Sequence, residues 1–176
     1  PGNCLIDTWV RKNSEKKFDH DGYLASIGKK NEIIFEQAQE LYYNRNKEKK
    51  SFDTNDFDIS FSRGLSLEDG TTTLTEFTGS IIAETISLLA KKGKKFNNII
   101  ICGGGRKNKI LIDVIQKNIQ HKIKINMIDD YGINGDFVES KAFAFLAIRS
   151  YKKLPITFPS TTNCNKPCTG GKIIEN

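Results

Sequence analysis

The chain has 176 residues, 38% of them hydrophobic, which is enough apolar material for one sizeable core and so for one domain. No stretch approaches the roughly 18 apolar residues of a membrane-spanning helix, so no membrane association is expected. A net charge of +6 from 27 basic residues invites a nucleic-acid reading. However, only Arg11, Arg45, Arg63, Arg106 and Arg149 carry the planar fork that reads phosphates and base edges, and the lysines are dispersed among acids, so no nucleic-acid partner is expected.

Pro1, Gly2 and Asn3 open the chain in place of a methionine, and the chain reads as part of a longer polypeptide. Asn3 suits an N-cap, with Cys4, Leu5, Trp9 and Val10 at helical spacing behind it, which predicts a helix to about Lys12. Lys16 to Asp21 is polar and turn-like. A short helix follows from about Asp21 to Gly28, the glycine suiting a helix C-terminus. Ile33, Ile34, Ala38 and Leu41 mark another helix from about Asn31 to Tyr43. Asn44 to Phe61 is charged and aperiodic and reads as an irregular surface excursion. Asp69-Gly70 is a turn signal. After it, Leu74, Phe77, Ile81, Ile82, Thr85, Leu88 and Leu89 form a stripe at helical spacing that ends near Gly93.

Asn98 to Cys102 is rich in β-branched residues and predicts a strand, and Gly103-Gly104-Gly105 follows it directly. Ile110, Leu111, Val114 and Ile115 continue as an amphipathic helix, and Lys122 to Met127 alternates as a half-buried strand does. Gly132 and Gly135 punctuate the next loop. Phe137 to Tyr151 is a long helix carrying Phe143, Phe145, Leu146 and Ile148. The tail, with Pro155, Pro159, Pro167 and Gly170-Gly171, reads as extended. The order predicts an α/β fold with a parallel β-α-β element near its centre. Two strands are too little sheet for so many helices, so further strands are expected upstream.

The central chemical signal is Ile99 to Asn108, Ile-Ile-Ile-Cys-Gly-Gly-Gly-Arg-Lys-Asn. A strand that feeds glycines into a helix lets backbone N–H groups approach a phosphate or a planar ligand without interference from Cβ. The spacing fits neither a Walker A loop nor a G-x-G-x-x-G fingerprint, and a tight turn needing positive φ remains the alternative. Pro1-Gly2-Asn3 at a helix start is a second candidate, as an anion site or as an ordinary cap. Gly135-Asp136-Phe137-Val138-Glu139 is a third: Asp136 fits an N-cap with Glu139 closing a capping box, or Glu139 points into a cleft. His20, between Asp19 and Asp21, reads as solvent-exposed. Cys4, Cys102, Cys164 and Cys168 read as free thiols, and with only His20 and His121 beside them no closed zinc site is expected.

Taken together, these stretches resemble one family, the anhydro-N-acetylmuramic acid kinases. Pro1 to Trp9 is similar to the family's P-G-N-x-L-I/M-D-x-W, and Asp21 with Ala25 and Gly28 to its D-x-x-x-A-x-x-G. Lys50 to Phe57 resembles a lid-like K-S-L-D-R-N-D-F segment, with Thr54 in place of its arginine. Thr73, Leu74, Thr75 and Thr78 resemble T-L-T-x-x-T, and Cys102 to Asn108 resembles C-G-G-G-x-x-N. Gly135, Asp136, Glu139 and Ala142 to Ala144 resemble G-D-x-x-E-A/S-x-A-F-A. Pro159 to Thr162 and Thr169 to Gly171 resemble the closing P-x-T-T-G and T-G-G, with Asn163 in place of the first glycine. The matches keep their order along nearly the whole chain.

The resemblance implies that residues 1–176 are the C-terminal lobe of an actin/hexokinase-like, ribonuclease H-like ATPase fold, lacking its N-terminal strands and first lobe. It implies a cytoplasmic, homodimeric enzyme that uses ATP and Mg²⁺ to hydrolyse the internal 1,6-anhydro bond of anhydro-N-acetylmuramic acid and phosphorylate O6. Gly103, Gly104, Gly105 and Asn108 would border the nucleotide, Gly2 and Asn3 would lie by the phosphates, and Glu139 would line the cleft. The general-base aspartate is expected in an Asp-Thr-Gly immediately before Pro1, so this chain alone would be inactive. The alternative is a non-catalytic actin-like domain that binds nucleotide.

Overall fold

The structure, a computed structural model, describes residues 2–46, 56–91, 96–120, 122–172 and 174. Expectations that fall on Pro1, on residues 50–55 of the lid-like segment, on Gly93 and on His121 lie outside the described residues. In chain order the elements are α1 (Cys4–Asn13), α2 (Tyr23–Ile27), α3 (Glu32–Asn46), α4 (Leu67–Lys91), β1 (Asn98–Ile101), α5 (Lys109–Asn118), β2 (Lys124–Met127), α6 (Val138–Tyr151) and α7 (Pro159–Thr162). β1 and β2 pair in parallel, Asn98 opposite Lys124 through Ile101 opposite Met127, with α5 as the crossover. The predicted β-α-β element is therefore present, and among the described residues it forms a two-stranded sheet.

The core is organised around α4, against which α1, α2, α3 and α5 all pack. Leu74, Phe77 and Ile81 are buried as their spacing predicts, and Ile6, Trp9, Leu111 and Ile115 meet them from α1 and α5. Each such side chain contributes about 1.5–3 kcal/mol on leaving water. The stripe does not stop at the apolar residues, however. Thr71, Thr72, Thr73, Thr75 and Thr78 are buried as well, while Thr85, Leu88 and Leu89 are exposed. Buried hydroxyls need partners, and the helix supplies most of them. Thr71, Thr73 and Thr75 donate to the carbonyls of Leu67, Asp69 and Thr71 at 2.7, 2.7 and 2.8 Å. A run that looks polar in sequence thus packs as small apolar surface on a helix enclosed on several sides.

Asp69-Gly70, read from sequence as a turn, lies instead in the first turn of α4, which corrects that expectation. Ser66 caps this end, its Oγ accepting from the Asp69 N–H at 3.0 Å. Gly70 is required by packing: a Cβ there would lie 2.3 Å from the Trp9 ring. The indole N–H donates to the Leu67 carbonyl at 3.0 Å, pinning α1 across the start of α4. Gly28 ends α2 as its sequence position predicts, its N–H donating to the Leu24 carbonyl at 3.2 Å, but the need for glycine there is one of packing. Its φ of −81° and ψ of 174° are ordinary extended backbone, but an added Cβ would meet the Glu68 carbonyl oxygen at 2.3 Å. Asp19, buried in the turn before α2, accepts from the N–H groups of Leu24 and Ala25 at 2.7 and 3.1 Å, while His20 is exposed as expected.

The second half of the chain is more open. No residue of α6 is buried, and Phe143, Phe145, Ile148 and Tyr151 are more than half exposed, because a two-stranded sheet offers little surface to cover them. The tail is not wholly extended: Pro starts α7, Asn163 ends it at φ 61°, and Thr157 bridges Cys168 in antiparallel sense. Asparagine tolerates that left-handed position almost as glycine does, so the departure from the family glycine keeps the turn. All four cysteines are free. Among the described residues no helix is long and apolar enough to cross a membrane.

Candidate functional site

The loops that leave the C-terminal ends of both parallel strands, where α/β sheets hold their ligands, meet beside the glycine triplet. Gly103 has φ 78° and ψ 179°, a conformation that is essentially glycine-only. It turns the chain out of β1 into a single 3-10 turn, Gly104–Lys107. The turn reading and the ligand reading of the triplet divide between its residues. Gly103 makes the turn, and its N–H is bonded to the Gly135 carbonyl at 3.1 Å. The N–H groups of Gly104 and Gly105 have no hydrogen-bond partner among the described residues. A Cβ on Gly104 would meet nothing within 4 Å.

Asn108 closes the turn. Its Oδ1 accepts from the Leu111 N–H at 3.0 Å and caps α5, which fixes the amide orientation. The Nδ2 is left buried and unpartnered, on a residue only 2% exposed. Gly22 makes room for this side chain, since a Cβ there would fall 2.5 Å from Asn108 Oδ1. Asn3 stands at the N-cap position of α1, but its side chain caps nothing. Its Oδ1 is buried without a partner and faces Gly105, at 3.7 Å from where a Cβ would be. A hollow beside these residues is lined by Gly2, Gly105, Ile82, Ile100, Leu111 and Ile112. Gly2, Asn3, Gly103, Gly104, Gly105 and Asn108 are thus brought to one place. Orphaned buried polar atoms are rare in folded proteins; among the described residues the Asn3 acceptor and the Asn108 donor are both orphaned, as are Ser62 Oγ and Thr78 Oγ1.

Glu139 is not drawn into this group. It is exposed in the first turn of α6, with no hydrogen-bond or ion-pair partner among the described residues. The capping box predicted for Asp136 and Glu139 is absent: the N-cap of α6 is Phe137, without a side-chain bond. The Asp136 carboxylate is occupied elsewhere, by Arg106 Nη1 and Lys107 Nζ, both at 2.7 Å. Arg106 also meets Asp129 through Nε and Nη2 at 2.6 and 3.0 Å, and donates from Nη1 to the Gly103 carbonyl at 2.9 Å. No sequence motif marks this cluster, because its partners lie 23 and 30 residues away from Arg106.

The electrostatics follow the geometry. The Arg106 hydrogen bonds, and then the Gly135 N–H, hold the Asp129 carboxyl down to about 2. Arg106 and then Lys107 lower Asp136, and the two carboxylates raise Arg106 in turn. A lowered carboxyl adds stability above its unfolded range and loses it as pH falls through the folded value, so these ion pairs persist through the neutral range.

A model of the anhydro-N-acetylmuramic acid kinase family matches residues 1–176. Among curated relatives, a protein of Pelagibacter ubique named anhydro-N-acetylmuramic acid kinase is 48% identical over all of this chain and 48% of its own length. Proteins with the same name from Zymomonas mobilis and Rhodospirillum rubrum are 35% and 34% identical, over 98% and 97% of this chain and 46% and 44% of their own lengths. The chain therefore spans about half the length of the curated relatives it matches. Matched by the family model from its first residue to its last, this chain belongs to the anhydro-N-acetylmuramic acid kinase family.

Proposed function

We propose that the chain is the C-terminal, nucleotide-binding lobe of an ATP-dependent sugar kinase of actin/hexokinase-like fold. The enzyme would add water across the 1,6-anhydro bond of anhydro-N-acetylmuramic acid and transfer the terminal phosphoryl group of ATP to the released O6. The products are N-acetylmuramic acid 6-phosphate and ADP. The observation that carries the reading is that the free N–H groups of Gly104 and Gly105 and the orphaned Nδ2 of Asn108 belong to one turn at the end of β1. Such donors suit a phosphate or a base edge, and the orphaned Asn3 Oδ1 suits a hydroxyl or exocyclic amine of the same ligand. Phosphoryl transfer relies chiefly on positioning and charge stabilisation, which backbone donors in a turn anchored at the end of a strand supply.

In this reading Gly2 lies by the phosphates and Glu139, exposed and unpaired, faces the sugar or the nucleotide. A homodimer and a cytoplasmic location belong to the same reading. Mg²⁺ enters on the ATP phosphates. The described residues hold no group of three carboxylate, cysteine or histidine ligands to cage it. The general base is an aspartate of an Asp-Thr-Gly that precedes Pro1, so the 176-residue chain by itself is expected to produce no sugar phosphate in a coupled ADP-release assay. Turnover by this chain alone would show that the base lies within it.

The decisive test of the nucleotide reading is Gly104→Ala in the natural polypeptide that contains these residues. Gly104 has an ordinary φ and open space around it, so the urea midpoint is expected to stay within the equivalent of about 0.5 kcal/mol. A methyl group between the loop and the phosphates is expected to raise the ATP KM by about tenfold, or 1.4 kcal/mol. An unchanged ATP KM would remove the loop from the nucleotide site.

A further inference from the structure

Three glycines in a row have more backbone freedom than any other tripeptide. A loop that presents N–H groups to a ligand binds well only when its direction is set beforehand. The structure contains one device suited to that. Arg106 directs Nε and Nη2 at both oxygens of Asp129, and Nη1 at Asp136 Oδ1 and the Gly103 carbonyl. Its side chain is only 7% exposed although both carboxylates are accessible. Asp129 Oδ1 also accepts from the Gly135 N–H at 3.3 Å, and the Gly135 carbonyl accepts from the Gly103 N–H at 3.1 Å. The guanidinium lies directly over Gly135, where a Cβ would stand 2.4 Å from Nε. Lys107 Nζ takes the second oxygen of Asp136. The loop after β1 and the turn before α6 are thereby closed into one unit.

We propose that Arg106 is the positioning residue of the nucleotide loop: its guanidinium holds the Gly103 carbonyl and the two carboxylates of the facing turn, and so sets where the Gly104 and Gly105 N–H groups point. This rests on the nucleotide reading above. Arg106 does not touch the nucleotide itself; four of its five N–H donors are spent on Asp129, Asp136 and Gly103. The residue stands at a position that the C-G-G-G-x-x-N pattern leaves open. Lysine cannot replace it, because a point ammonium reaches one partner where the planar fork reaches three.

The test is steady-state kinetics of the natural polypeptide carrying Arg106→Met, Arg106→Lys or Gly135→Ala, with ATP and sugar varied separately. Arg106→Met is expected to raise the ATP KM about tenfold while kcat and the sugar KM stay within about twofold, the signature of lost binding-loop order. Arg106→Lys should fall between Met and wild type. Gly135→Ala should reproduce the ATP-specific effect with Arg106 intact, by displacing the guanidinium, and serves if Arg106→Met fails to fold. A purely structural role predicts less folded enzyme with every KM unchanged, and that outcome overturns the proposal. A wild type that neither binds nor turns over ATP overturns the nucleotide reading and the loop's role together. A wild type that does so, beside variants with unchanged ATP KM, overturns the positioning role alone.

Discussion

Gly28→Ala is expected to cost more than about 3 kcal/mol, at the upper end of overpacking substitutions, and to lower the urea midpoint by about 1 M or more. The added methyl would sit 2.3 Å from the Glu68 carbonyl oxygen, 2.4 Å from its carbon and 2.4 Å from Thr72 Oγ1. Two of these atoms are helix backbone and cannot rotate away, so the end of α2 must lift off α4. That movement strains the bonds crossing the same seam: Thr72 Oγ1 to the Ala25 carbonyl at 3.0 Å, the Lys29 N–H to Asp69 Oδ1 at 2.8 Å, and the Asn31 N–H to Thr73 Oγ1 at 3.0 Å. Gly70→Ala meets the Trp9 ring at the same 2.3 Å, but there alanine regains about 1 kcal/mol of helix propensity, so the loss should be smaller. Against total stabilities of about 5–15 kcal/mol, a loss of that size should lower the melting temperature clearly by circular dichroism. A midpoint equal to wild type would mean that α2 and α4 do not approach at Gly28.

Gly103→Ala is expected to damage stability and turnover together. Its φ of 78° with ψ of 179° is a region in which a side chain costs about 1–3 kcal/mol. Relief of that strain rotates the loop away from the Gly135 carbonyl and from Arg106, which hold it on both sides. On the nucleotide reading proposed above, kcat/KM for ATP in the natural polypeptide should fall roughly 10–100-fold, the rate equivalent of that strain, with a lower melting temperature. Gly104→Ala is the contrast: the same methyl, one residue on, at a site with ordinary backbone and open space, should change nucleotide affinity and leave stability alone. Equal melting temperatures for the two variants would show that Gly103 is not held in the glycine-only conformation.

Much of the local structure was readable from residue order. The spacing of Leu111, Val114 and Ile115 predicts the buried face of α5. The β-branched run before the triplet predicts β1, and a strand-helix-strand order predicts the parallel pair. The ordered motif set was enough to identify the family. It also named the residues that gather at the loop, because a glycine triplet and an asparagine in fixed register need only local geometry to act together. A capping box is a local pattern that Asp136 and Glu139 fit in sequence, whereas the Asp136 carboxylate is taken by an arginine 30 residues earlier.

Sequence by itself determined the elements whose cause is periodic or adjacent: helical stripes, the two strands, the turn at Gly103 and the family's motifs. Tertiary structure alone decided which residues are enclosed and which groups are paired. It buried five threonines on a helix packed on several sides, assigned Gly28 and Gly70 to close contacts with Glu68 and Trp9, and left the apolar residues of α6 exposed. The reason is physical. A dihedral preference or a 3.6-residue repeat is written in neighbouring residues, whereas a 2.3 Å clash or a shared guanidinium depends on where two distant segments meet.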